Sequence, residues 1–378
     1  MPCAFITGVS GQDGSFLAEY LIGKGYAVFG MVRRSSNMTN LDRLVAVRDH
    51  PLLRIHYGDV TDASSVTRIL NLAYNDPSRA GAPLEVYNLA AQSHVRVSFD
   101  VPMHTAQSDA IGVLNLLEAV VQLPDRSPGA VRVYQASTSE LFGCTPGPQS
   151  ETTLMQPQSP YGVAKLYAHW IVKNYRNIYG GYFVNGILFN HESERRAENF
   201  VTRKITKHAA RRSLGKHRGP LRLGNLDARR DWGYARDYVE AMHAMLHAPE
   251  PRDFVVATGS CRTVRDFAQA AFRAAVGNEL DWIGEGVDEV GVDRATREVL
   301  VEVDPAYFRP TEVDHLEGDA SLARDVIGWA PKTSFDELVR IMVDHDIREQ
   351  SQAFATPAGT AEGSRSIHSA PGSARDPS

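Results

Sequence analysis

The amino-acid sequence predicts an α/β protein with a doubly wound parallel Rossmann sheet and a smaller, mainly C-terminal substrate-binding domain. Short apolar runs alternate with amphipathic segments over residues 3–188, a pattern typical of strands and helices in a parallel sheet. A glycine-rich loop follows the first apolar run, and polar clusters follow several later ones. Because ligands of such sheets bind at the carboxyl ends of the strands, the clusters predict a site along one edge.

The first element is a strand over residues 3–7, followed by glycines at Gly8, Gly11 and Gly14. Glycines at these positions allow a tight turn, a close approach of a pyrophosphate to the backbone, and packing of the next helix on the sheet. The helix that follows presents unpaired N–H groups and the positive end of its dipole to an anion. The triplet therefore predicts a dinucleotide site, although a plain loop is the alternative while the triplet stands alone.

The second strand, residues 27–32, is followed by Arg33, Arg34, Ser35 and Ser36. An NAD-binding site would carry an acid at this place to bind the ribose 2′-hydroxyl, whereas two guanidinium groups suit a 2′-phosphate. The sequence therefore predicts NADP as the cofactor. The alternative is a pair of solvated surface arginines.

The remaining elements of the sheet layer follow in alternation. Strands are expected at residues 54–57, 86–89, 131–136 and 183–188, and a helix at about 161–179. Two further helices are indicated by apolar faces, one formed by Val66, Ile69, Leu70 and Ala73 and a long one by Ala106, Ala110, Val113, Leu114, Leu117 and Val121. Polar residues follow the third, fourth and fifth strands: Asp59, residues 90–94 and residues 137–140.

Domain boundaries follow from a change of character after residue 188. Residues 1–188 are expected to form the NADP-binding domain, with segments near 234–260 and 305–320 returning to it, and residues 189–348 to form the interleaved substrate-binding region. Long charged connections are expected at 190–199, 214–231 and 281–312. The segment 254–257 and the helix carrying Phe335, Leu338, Ile341 and Met342 are expected in the sheet layer. Residues 351–378 contain few apolar side chains and are predicted to be a disordered tail.

Composition excludes several classes of protein. The chain has 378 residues, 43% of them hydrophobic, and a net charge of −5 from 40 basic and 45 acidic residues. We therefore expect a globular protein without bulk attraction to nucleic acid or to an anionic membrane. Cys3, Cys144 and Cys261 lack the spacing of a disulfide framework or a metal site. The early first strand leaves no room for a signal peptide and no apolar run is long enough to span a membrane, so a cytoplasmic location is expected.

Tyr161 and Lys165 are the first candidate catalytic pair. They are four residues apart on a predicted helix and therefore share a face. Pro160 places Tyr161 in the first helical turn, where the dipole stabilises an anion. Lowering the pKa of a phenol from about 10 to near neutrality takes roughly 4 kcal/mol, which a lysine, a nicotinamide cation and the helix terminus could supply together. Tyr161 is therefore expected to be a general base with a lowered pKa; a surface pair is the alternative.

Thr138 and Glu140 follow the fifth strand, near the expected position of the nicotinamide. Simple hydride transfer does not need a carboxylate at this place, so Glu140 indicates a second proton-transfer step. The alternative is a helix cap formed by Ser137 or Thr138, with Glu140 in the first turn of that helix.

Several motifs together resemble the GDP-mannose 4,6-dehydratases, a family of extended short-chain dehydrogenases/reductases. They are residues 7–15 (TGVSGQDGS), Tyr161 with Lys165, residues 190–193 (NHES), and residues 223–227 (LGNLD) followed by 230–233 (RDWG). The resemblance extends from about residue 4 to residue 347. It implies a redox-neutral dehydration of GDP-mannose that recycles NADP and yields GDP-4-dehydro-6-deoxymannose, and a homodimer or homotetramer formed through the two long helices.

The resemblance also implies the roles of individual residues. Tyr161 takes the proton of the sugar 4-hydroxyl, Thr138 holds that hydroxyl, Lys165 orders the cofactor ribose, and Glu140 removes the carbon 5 proton and helps the 6-hydroxyl leave. The implied NADP-binding residues are Gly8, Val9, Ser10, Gly11, Gln12, Asp13, Gly14, Arg33, Arg34, Ser35, Ser36, Asp59, Val60, Leu89, Ala90, Ala91, Gln92, Ser93, Lys165, His191 and Arg196. The implied substrate-binding residues are Ser93, Thr138, Glu140, Tyr161, Asn190, Asn199, Lys204, Arg230, Arg309 and Glu312.

Three residues depart from the family pattern: Glu194 replaces a proline, Ala197 a glycine and His104 a tyrosine. These changes leave the accepted sugar open. A related dehydratase, 4-epimerase or reductase acting on another nucleotide sugar such as GDP-heptose is one alternative, and a non-catalytic NADP-binding sensor is another. Glu140 argues against an epimerase, which needs no carbon 5 base. The four intact catalytic candidates argue against a sensor.

Overall fold

The fold consists of a central parallel sheet and a second, smaller region. The computed structural model describes residues 1–34, 39–125, 127–308 and 313–352. Its strands are β1 (Cys3–Thr7), β2 (Ala27–Val32), β3 (Leu53–Tyr57), β4 (Leu84–Asn88), β5 (Val131–Ala136), β6 (Tyr182–Leu188), β7 (His191–Glu192), β8 (Leu221–Leu223), β9 (Arg229–Asp231), β10 (Gly233–Tyr234), β11 (Phe254–Val256), β12 (Cys261–Thr263), β13 (Leu280–Ile283), β14 (Val290–Asp293), β15 (Val299–Val303) and β16 (His315–Leu316).

The helices lie between and around these strands. They are α1 (Gln12–Gly23), α2 (Ala63–Tyr74), α3 (Val95–Asp100), α4 (Pro102–Ala106), α5 (Gly112–Val121), α6 (Pro160–Tyr179), α7 (Val201–Ser213), α8 (Ala235–Leu246), α9 (Val264–Val276), α10 (Ser321–Ile327) and α11 (Phe335–Gln352). The predicted long helix carrying Ala106 and Val121 is interrupted: a π-turn, Gln107–Ile111, separates α4 from α5.

The central sheet has seven strands in the order β3-β2-β1-β4-β5-β6-β11, all parallel. Helices α1 and α8 cover one face, where Phe16, Leu17 and Met242 enter the core. Helices α2, α5 and α6 cover the other face, where Ile69 and Leu116 are buried. Because both faces are covered, the inner strands are almost entirely buried and mostly apolar, and this is why the sequence predicted them. The predicted α/β doubly wound fold is confirmed.

The second region contains strands that the sequence did not predict. Two of the expected long connections instead supply strands of a four-stranded sheet, β13-β14-β15-β8, and a three-stranded sheet, β12-β9-β16. These strands have at most five residues and several exposed side chains, so they lack the long apolar runs that mark buried strands. The connection after β6 likewise contributes β7, which pairs with β10.

The predicted position of the helix carrying Phe335 was wrong. This helix, α11, packs on α7 and α9 of the second region rather than on the central sheet. Its Leu338 and Met342 join Ile205 and Phe267 in a separate apolar core. An amphipathic helix shows which face is buried but not which layer receives it, so the sequence could not distinguish the two positions.

The ends of the described chain bear on two further expectations. Helix α11 continues to Gln352, so the first two residues of the predicted tail are helical; residues 353–378 lie outside the described residues. Leu316, in the segment expected to return near 305–320, is buried in the core shared with the central sheet. Within the described ranges, no helix is both long and apolar enough to cross a membrane.

Candidate active site

A cleft of about 970 Å³ lies at the carboxyl edge of the central sheet. The loops after strands β1 to β6 form one wall, and residues of the second region form the other. This is the position at which doubly wound sheets bind their ligands. We call the first wall the cofactor half and the second wall the substrate half.

The glycine loop forms the floor of the cofactor half. Gly8 has a φ of +70°, and a Cβ at this position would lie 3.0 Å from the backbone of Ala90. A Cβ on Gly14 would lie 2.3 Å from the carbonyl oxygen of Gly8, so neither position accepts a side chain. Gly11, which precedes α1, has no side chain that could cap the helix. The loop and the helix N-terminus therefore fit the pyrophosphate of a dinucleotide.

A chain of buried hydrogen bonds joins the ends of three strands beneath the cleft. The Thr7 hydroxyl donates to Asn88 at 2.6 Å and accepts the backbone N–H groups of residues 89 and 90. The Asn88 amide donates to Gln135 at 2.7 Å, and Gln135 donates to the carbonyl of Ala136 at 2.8 Å. The ammonium of Lys165 donates to the same carbonyl at 3.0 Å. The network links Thr7, the residue before the glycine loop, to Lys165 along this edge of the sheet.

Asp109 lies beside Lys165, and the sequence reasoning missed it. Its carboxylate is buried and accepts the backbone N–H of Gln92 at 2.7 Å. Burial raises the pKa of Asp109, and the nearby Lys165 ammonium opposes that rise. Burial also lowers the pKa of Lys165, which Asp109 opposes. The π-turn that contains Asp109 is a feature often found at functional sites, but its sequence carries no signature of its own.

Tyr161 lies in the first turn of α6, whose N-cap Ser159 accepts the N–H of Gly162 at 3.0 Å. Its phenol is buried and hydrogen-bonded to Thr138. The protein's own groups do not lower its pKa, and the expected lowering also included the charge of a nicotinamide cation. Burial raises the pKa of the phenol well above its ordinary value and nearby carboxylates add to this, whereas Thr138 and an arginine only partly oppose it. Desolvation outweighs the helix terminus because the phenolate loses its hydration.

Glu140 lies in a single 3₁₀ turn, Ser139–Leu141, and its backbone N–H donates to the Thr138 hydroxyl at 3.2 Å. The capping alternative is therefore correct as a description of the turn. Both Thr138 and Glu140 also line the cleft. A residue can cap a turn and face a ligand at once, so the capping interpretation and the catalytic one are compatible.

His191 carries a positive charge next to the glycine loop. Its Nδ1 lies 2.7 Å from the carbonyl oxygen of Phe189 and its Nε2 lies 2.8 Å from the carboxylate of Asp13. Both oxygens only accept hydrogen bonds, so both ring nitrogens carry protons. Burial opposes this charge, but Asp13 outweighs it and raises the pKa of His191. The same ion pair lowers the pKa of Asp13 despite burial.

The substrate half is built from long side chains that distant segments supply. The ammonium of Lys204 lies 3.5 Å from the centre of the Tyr307 ring. Arg196 pairs with Glu192 at 3.0 Å and stacks over a phenylalanine. Arg230 is buried and donates to the carbonyl of the preceding residue at 2.9 Å. This half therefore offers several cations and aromatic rings, which suits an anionic nucleotide.

Most of the predicted site residues meet in the cleft. The residues that line it are Gly8, Ser10, Gly11, Gln12, Asp13, Gly14, Arg33, Asp59, Val60, Leu89, Ala90, Ala91, Gln92, Ser93, Thr138, Glu140, Tyr161, Lys165, Asn190, His191, Arg196, Asn199, Lys204 and Arg230. Two predicted residues are not among them: the Val9 side chain packs beneath Gly30, and the exposed Arg34 guanidinium lies 5.9 Å from the Tyr57 ring. Ser35, Ser36, Arg309 and Glu312 lie outside the described residues.

The cleft also contains residues that the sequence analysis did not single out. Arg43 lines it and donates to the carbonyl of Ser10 at 3.4 Å and to that of Arg195 at 2.9 Å. Trp232 and Tyr307 line the substrate half. Of the departures from the family pattern, His104 lines the cleft, whereas Glu194 accepts the Tyr234 hydroxyl at 3.3 Å. Trp232 belongs to the RDWG motif at residues 230–233, so the sequence did point to it. No sequence pattern marks Arg43, because the tertiary fold alone brings it to the glycine loop.

Comparisons with known proteins agree on one family. The family model described as GDP-mannose 4,6 dehydratase matches residues 5–342. The chain is 51% identical over 353 residues to the GDP-mannose 4,6 dehydratase of Drosophila melanogaster, covering 91% of this chain and 86% of that protein. It is 49% identical to the human protein of the same name, covering 91% of each chain.

Solved structures show the same fold at low identity. A UDP-glucose 4-epimerase of Thermotoga maritima superposes with a TM-score of 0.74 at 22% identity, covering 92% of this chain and 99% of that one. A dTDP-glucose 4,6-dehydratase of Bacillus anthracis, solved with NAD, superposes with a TM-score of 0.73 at 18% identity, covering 93% and 98%.

Proposed function

This chain belongs to the GDP-mannose 4,6-dehydratase family, and from that membership we propose that its cleft converts GDP-α-D-mannose to GDP-4-dehydro-6-deoxy-D-mannose and water. The activity is that of a hydro-lyase. The observation that carries the proposal is the meeting of Thr138, Glu140, Tyr161 and Lys165 on one wall of the cleft above the glycine loop. A dehydration needs a base for a hydroxyl and a separate base for a carbon-bound proton, and this wall supplies both.

NADP is the cofactor in this proposal. The glycine floor and the N-terminus of α1 fit a pyrophosphate, and Arg33 lines the same cleft, where its charge suits a 2′-phosphate. When bound, NADP would supply the hydride acceptor for carbon 4 of the sugar and the hydride donor for carbon 6. Lys165, held by the Ala136 carbonyl, is the residue assigned to its ribose.

Tyr161 serves the oxidation at carbon 4 in this mechanism. Thr138, which is hydrogen-bonded to the phenol, is placed to hold the sugar 4-hydroxyl beside it. The buried phenol keeps its proton readily, so positive charge at the site must favour the phenolate before Tyr161 can take the hydroxyl proton. Lys165, whose ammonium lies 5.9 Å from the centre of the Tyr161 ring, supplies part of that charge.

Glu140 serves the elimination. The ketone at carbon 4 acidifies the proton on carbon 5, and the Glu140 carboxylate removes it and then donates a proton to the departing 6-hydroxyl. The 3₁₀ turn capped by Thr138 holds Glu140 at the cleft surface with 8% of the residue exposed. A carboxylate in this position has lost most of its water and therefore needs less reorganisation to act.

Incubation of the purified protein with GDP-mannose and NADP tests the proposed activity. Mass spectrometry should show a nucleotide sugar lighter by one water, with no net consumption of NADP. GDP-heptose in a parallel reaction tests the related substrate. Dehydration of the heptose but not of mannose would replace the proposed substrate, and no reaction with either would contradict the catalytic assignment.

Glu140→Gln separates the two chemical steps. The amide is nearly isosteric, so cofactor and substrate binding should persist, while dehydration should slow by about 10² to 10⁴-fold because the carbon 5 base is lost. Oxidation at carbon 4 should still occur and leave NADPH absorbance in a single turnover. If the variant incorporates solvent deuterium at carbon 5 at the unmodified rate, Glu140 is not the base and only its role in the turn remains.

A homodimer or a homotetramer built from such dimers is the proposed assembly. Helix α6 exposes an apolar stripe of Val163, Tyr167 and Trp170, which are 56%, 41% and 54% exposed. Met103 on the neighbouring helix α4 is 72% exposed. Apolar side chains grouped in this way favour burial against a second copy of the chain. Light scattering should give at least twice the mass of one chain, and Trp170→Glu should shift it towards the monomer.

A cytoplasmic location is likewise proposed. Among the described residues, Cys3, Cys144 and Cys261 form no disulfide bond, which fits a reducing compartment. Fractionation of the source cells, followed by detection of the protein in the soluble and membrane fractions, tests this assignment.

A further inference from the structure

A cluster of metal-ligating side chains lies at the amino edge of the central sheet, on the opposite edge from the cleft. Glu85 is near the start of β4, His243 lies in the last turn of α8, and His247 is the residue that caps the C-terminus of that helix. One ligand atom from each of the three residues lies within 4.8 Å of the others. We propose that these residues bind a divalent transition-metal ion, with Zn²⁺ the best match, and that the ion ties α8 to the sheet.

The position of His247 is the first argument. Its Nδ1 lies 2.9 Å from the carbonyl oxygen of His243, which only accepts, so Nδ1 carries the proton of the neutral ring. Nε2 then points its lone pair at the Glu85 carboxylate, 3.3 Å away. Two acceptors in this position need a cation or a proton between them. A hydrogen bond from the second ring nitrogen to a backbone carbonyl is also the usual way in which a metal-binding histidine is oriented.

The spacing fits tetrahedral coordination. Zn²⁺ binds histidine nitrogen and carboxylate oxygen at about 2.0 to 2.2 Å, which places neighbouring ligand atoms of a tetrahedron about 3.4 Å apart. The 3.3 Å between Glu85 and His247 is close to that edge. The Tyr26 hydroxyl lies 3.3 Å from Nε2 of His243 and donates to Glu85 at 2.9 Å, so this hydroxyl is next to the ion in the place of a fourth ligand.

The cluster is accessible from solvent. The His247 side chain is 42% exposed and gives the ion a path from solvent.

The charges around the cluster select the class of metal. Glu85 is the single carboxylate of the cluster, and its second oxygen accepts the Tyr87 hydroxyl at 2.6 Å. Two cations lie near the cluster. Arg132 is opposite Glu85 in the register of β4 and β5 and acts electrostatically on Tyr26, and Lys24 acts on His243. Mg²⁺ and Ca²⁺ prefer several oxygen ligands, so this set suits a metal that accepts imidazole nitrogen.

A second cluster, Cys261, His315 and Glu317, serves as the internal comparison. Its thiol donates to the carbonyl of Leu316 at 2.9 Å, and burial raises the pKa of that thiol to about 12. A metal would have to displace that proton, so we expect the histidine pair on α8 to bind first. His315→Gln is therefore the matched control.

Titration of the chelator-stripped full-length protein with Co²⁺ and Zn²⁺ tests the proposal. The unmodified protein and His315→Gln should bind one equivalent of Co²⁺ with the intense visible absorption of a tetrahedral site, and Zn²⁺ should displace it. Zn²⁺ should also raise the Tm of both proteins. His243→Gln and His247→Gln should each weaken Co²⁺ binding at least tenfold and lose the rise in Tm.

Two results would overturn the metal site. One is a visible signal that survives both α8 variants but is lost in His315→Gln. The other is Co²⁺ binding below one equivalent in the unmodified protein, with a Tm that depends on pH but not on Zn²⁺, which would show that a proton occupies the space between His247 and Glu85. His247→Gln is the main variant because its side chain is partly exposed and its replacement leaves the buried Glu85 with its two tyrosine donors.

Discussion

The two halves of the cleft are built by different physical means. Backbone and short buried side chains at the ends of adjacent strands form the cofactor half, and a continuous set of hydrogen bonds links Thr7 to Lys165 beneath it. Long charged side chains from segments far apart in the sequence form the substrate half, including Arg196 and Lys204. The shape of the cofactor half is therefore determined by the local geometry of adjacent strand ends. The shape of the substrate half depends on how the second region packs against the central sheet.

Replacing the proposed base for the sugar 4-hydroxyl, Tyr161, should have the largest effect. Tyr161→Phe should reduce both carbon 4 oxidation and dehydration by about 10² to 10⁴-fold, because the 4-hydroxyl proton loses its acceptor. Single-turnover absorbance of NADPH and mass spectrometry measure the two steps. Tyr179→Phe, at the exposed end of the same helix, is the control and should keep the unmodified rate. If Tyr161→Phe still oxidises carbon 4 at the unmodified rate, another group accepts the proton of the 4-hydroxyl.

NADPH binding in the cofactor half should weaken when an added side chain displaces the backbone of the glycine loop. In Gly14→Ala the new methyl group would meet the Gly8 carbonyl oxygen at 2.3 Å, whereas a Cβ on Gly23 of the same helix meets no atom within 4 Å. Overpacking of this kind costs about 1 to 3 kcal/mol, so NADPH affinity should fall by roughly 10 to 100-fold in Gly14→Ala. Gly23→Ala should bind NADPH normally. Calorimetry measures the NADPH affinity of both variants. Equal affinities would show that the glycine loop does not bind the cofactor.

The same difference explains what the sequence could predict. The strands of the sheet, the glycine loop, and the Tyr161 and Lys165 pair all follow from short-range periodicity and spacing. Asp109 and Arg43 could not be found in this way, because each reaches the site from an element whose position only the assembled fold defines. In the substrate half, residues such as Asn190 and Lys204 came from the family resemblance alone. The sequence also does not quantify burial, which raises the pKa of Tyr161 among the protein's own groups.

Within the cofactor half, Arg33 and Arg34 can be compared by their effect on the preference for NADP over NAD. Arg33 lines the cleft, whereas the guanidinium of Arg34 lies near the ring of Tyr57. A charge-assisted hydrogen bond contributes about 1.5 to 3 kcal/mol, so Arg33→Ala should weaken NADP binding by roughly 10 to 100-fold and leave NAD binding nearly unchanged. Arg34→Ala should have the smaller effect. An equal loss for both cofactors in Arg33→Ala would refute recognition of the 2′-phosphate.

The substrate half should respond in KM without a change in cofactor affinity. Lys204 lies in the cleft next to Tyr307, at a place suited to the diphosphate of GDP-mannose. Lys204→Met keeps most of the side-chain volume and removes the charge, so the KM for GDP-mannose should rise about tenfold. Lys332→Met, at an exposed lysine paired with Glu240, is the control. If the affinity for NADPH falls by the same factor as the KM for GDP-mannose rises in Lys204→Met, the two halves do not bind their ligands independently.

Asp109→Asn should give the smallest effect, a shift of the pH profile. The amide oxygen can still accept the Gln92 N–H, so the variant changes charge with little change in shape. Removing a negative charge lowers the pKa of every nearby group, and Asp109 raises the pKa of both Tyr161 and Lys165. Both limbs of the profile for carbon 4 oxidation should therefore move to lower pH, by about one unit for a charge acting through an effective dielectric of about 20.

The charges that share this space with Asp109 set the expected direction. Lys165 and His104 only partly oppose the burial that raises the pKa of Asp109. Glu140 and Arg196 act on the pKa of Tyr161 with opposite signs and stay unchanged in the variant. Asp237→Asn is the matched control, because this buried carboxylate also accepts backbone N–H groups, from Lys332 and Thr333 at 2.9 Å, but lies outside the cleft lining. It should change Tm without moving the profile. An unmoved profile in Asp109→Asn would mean that Asp109 is already neutral at working pH and only positions the Gln92 loop.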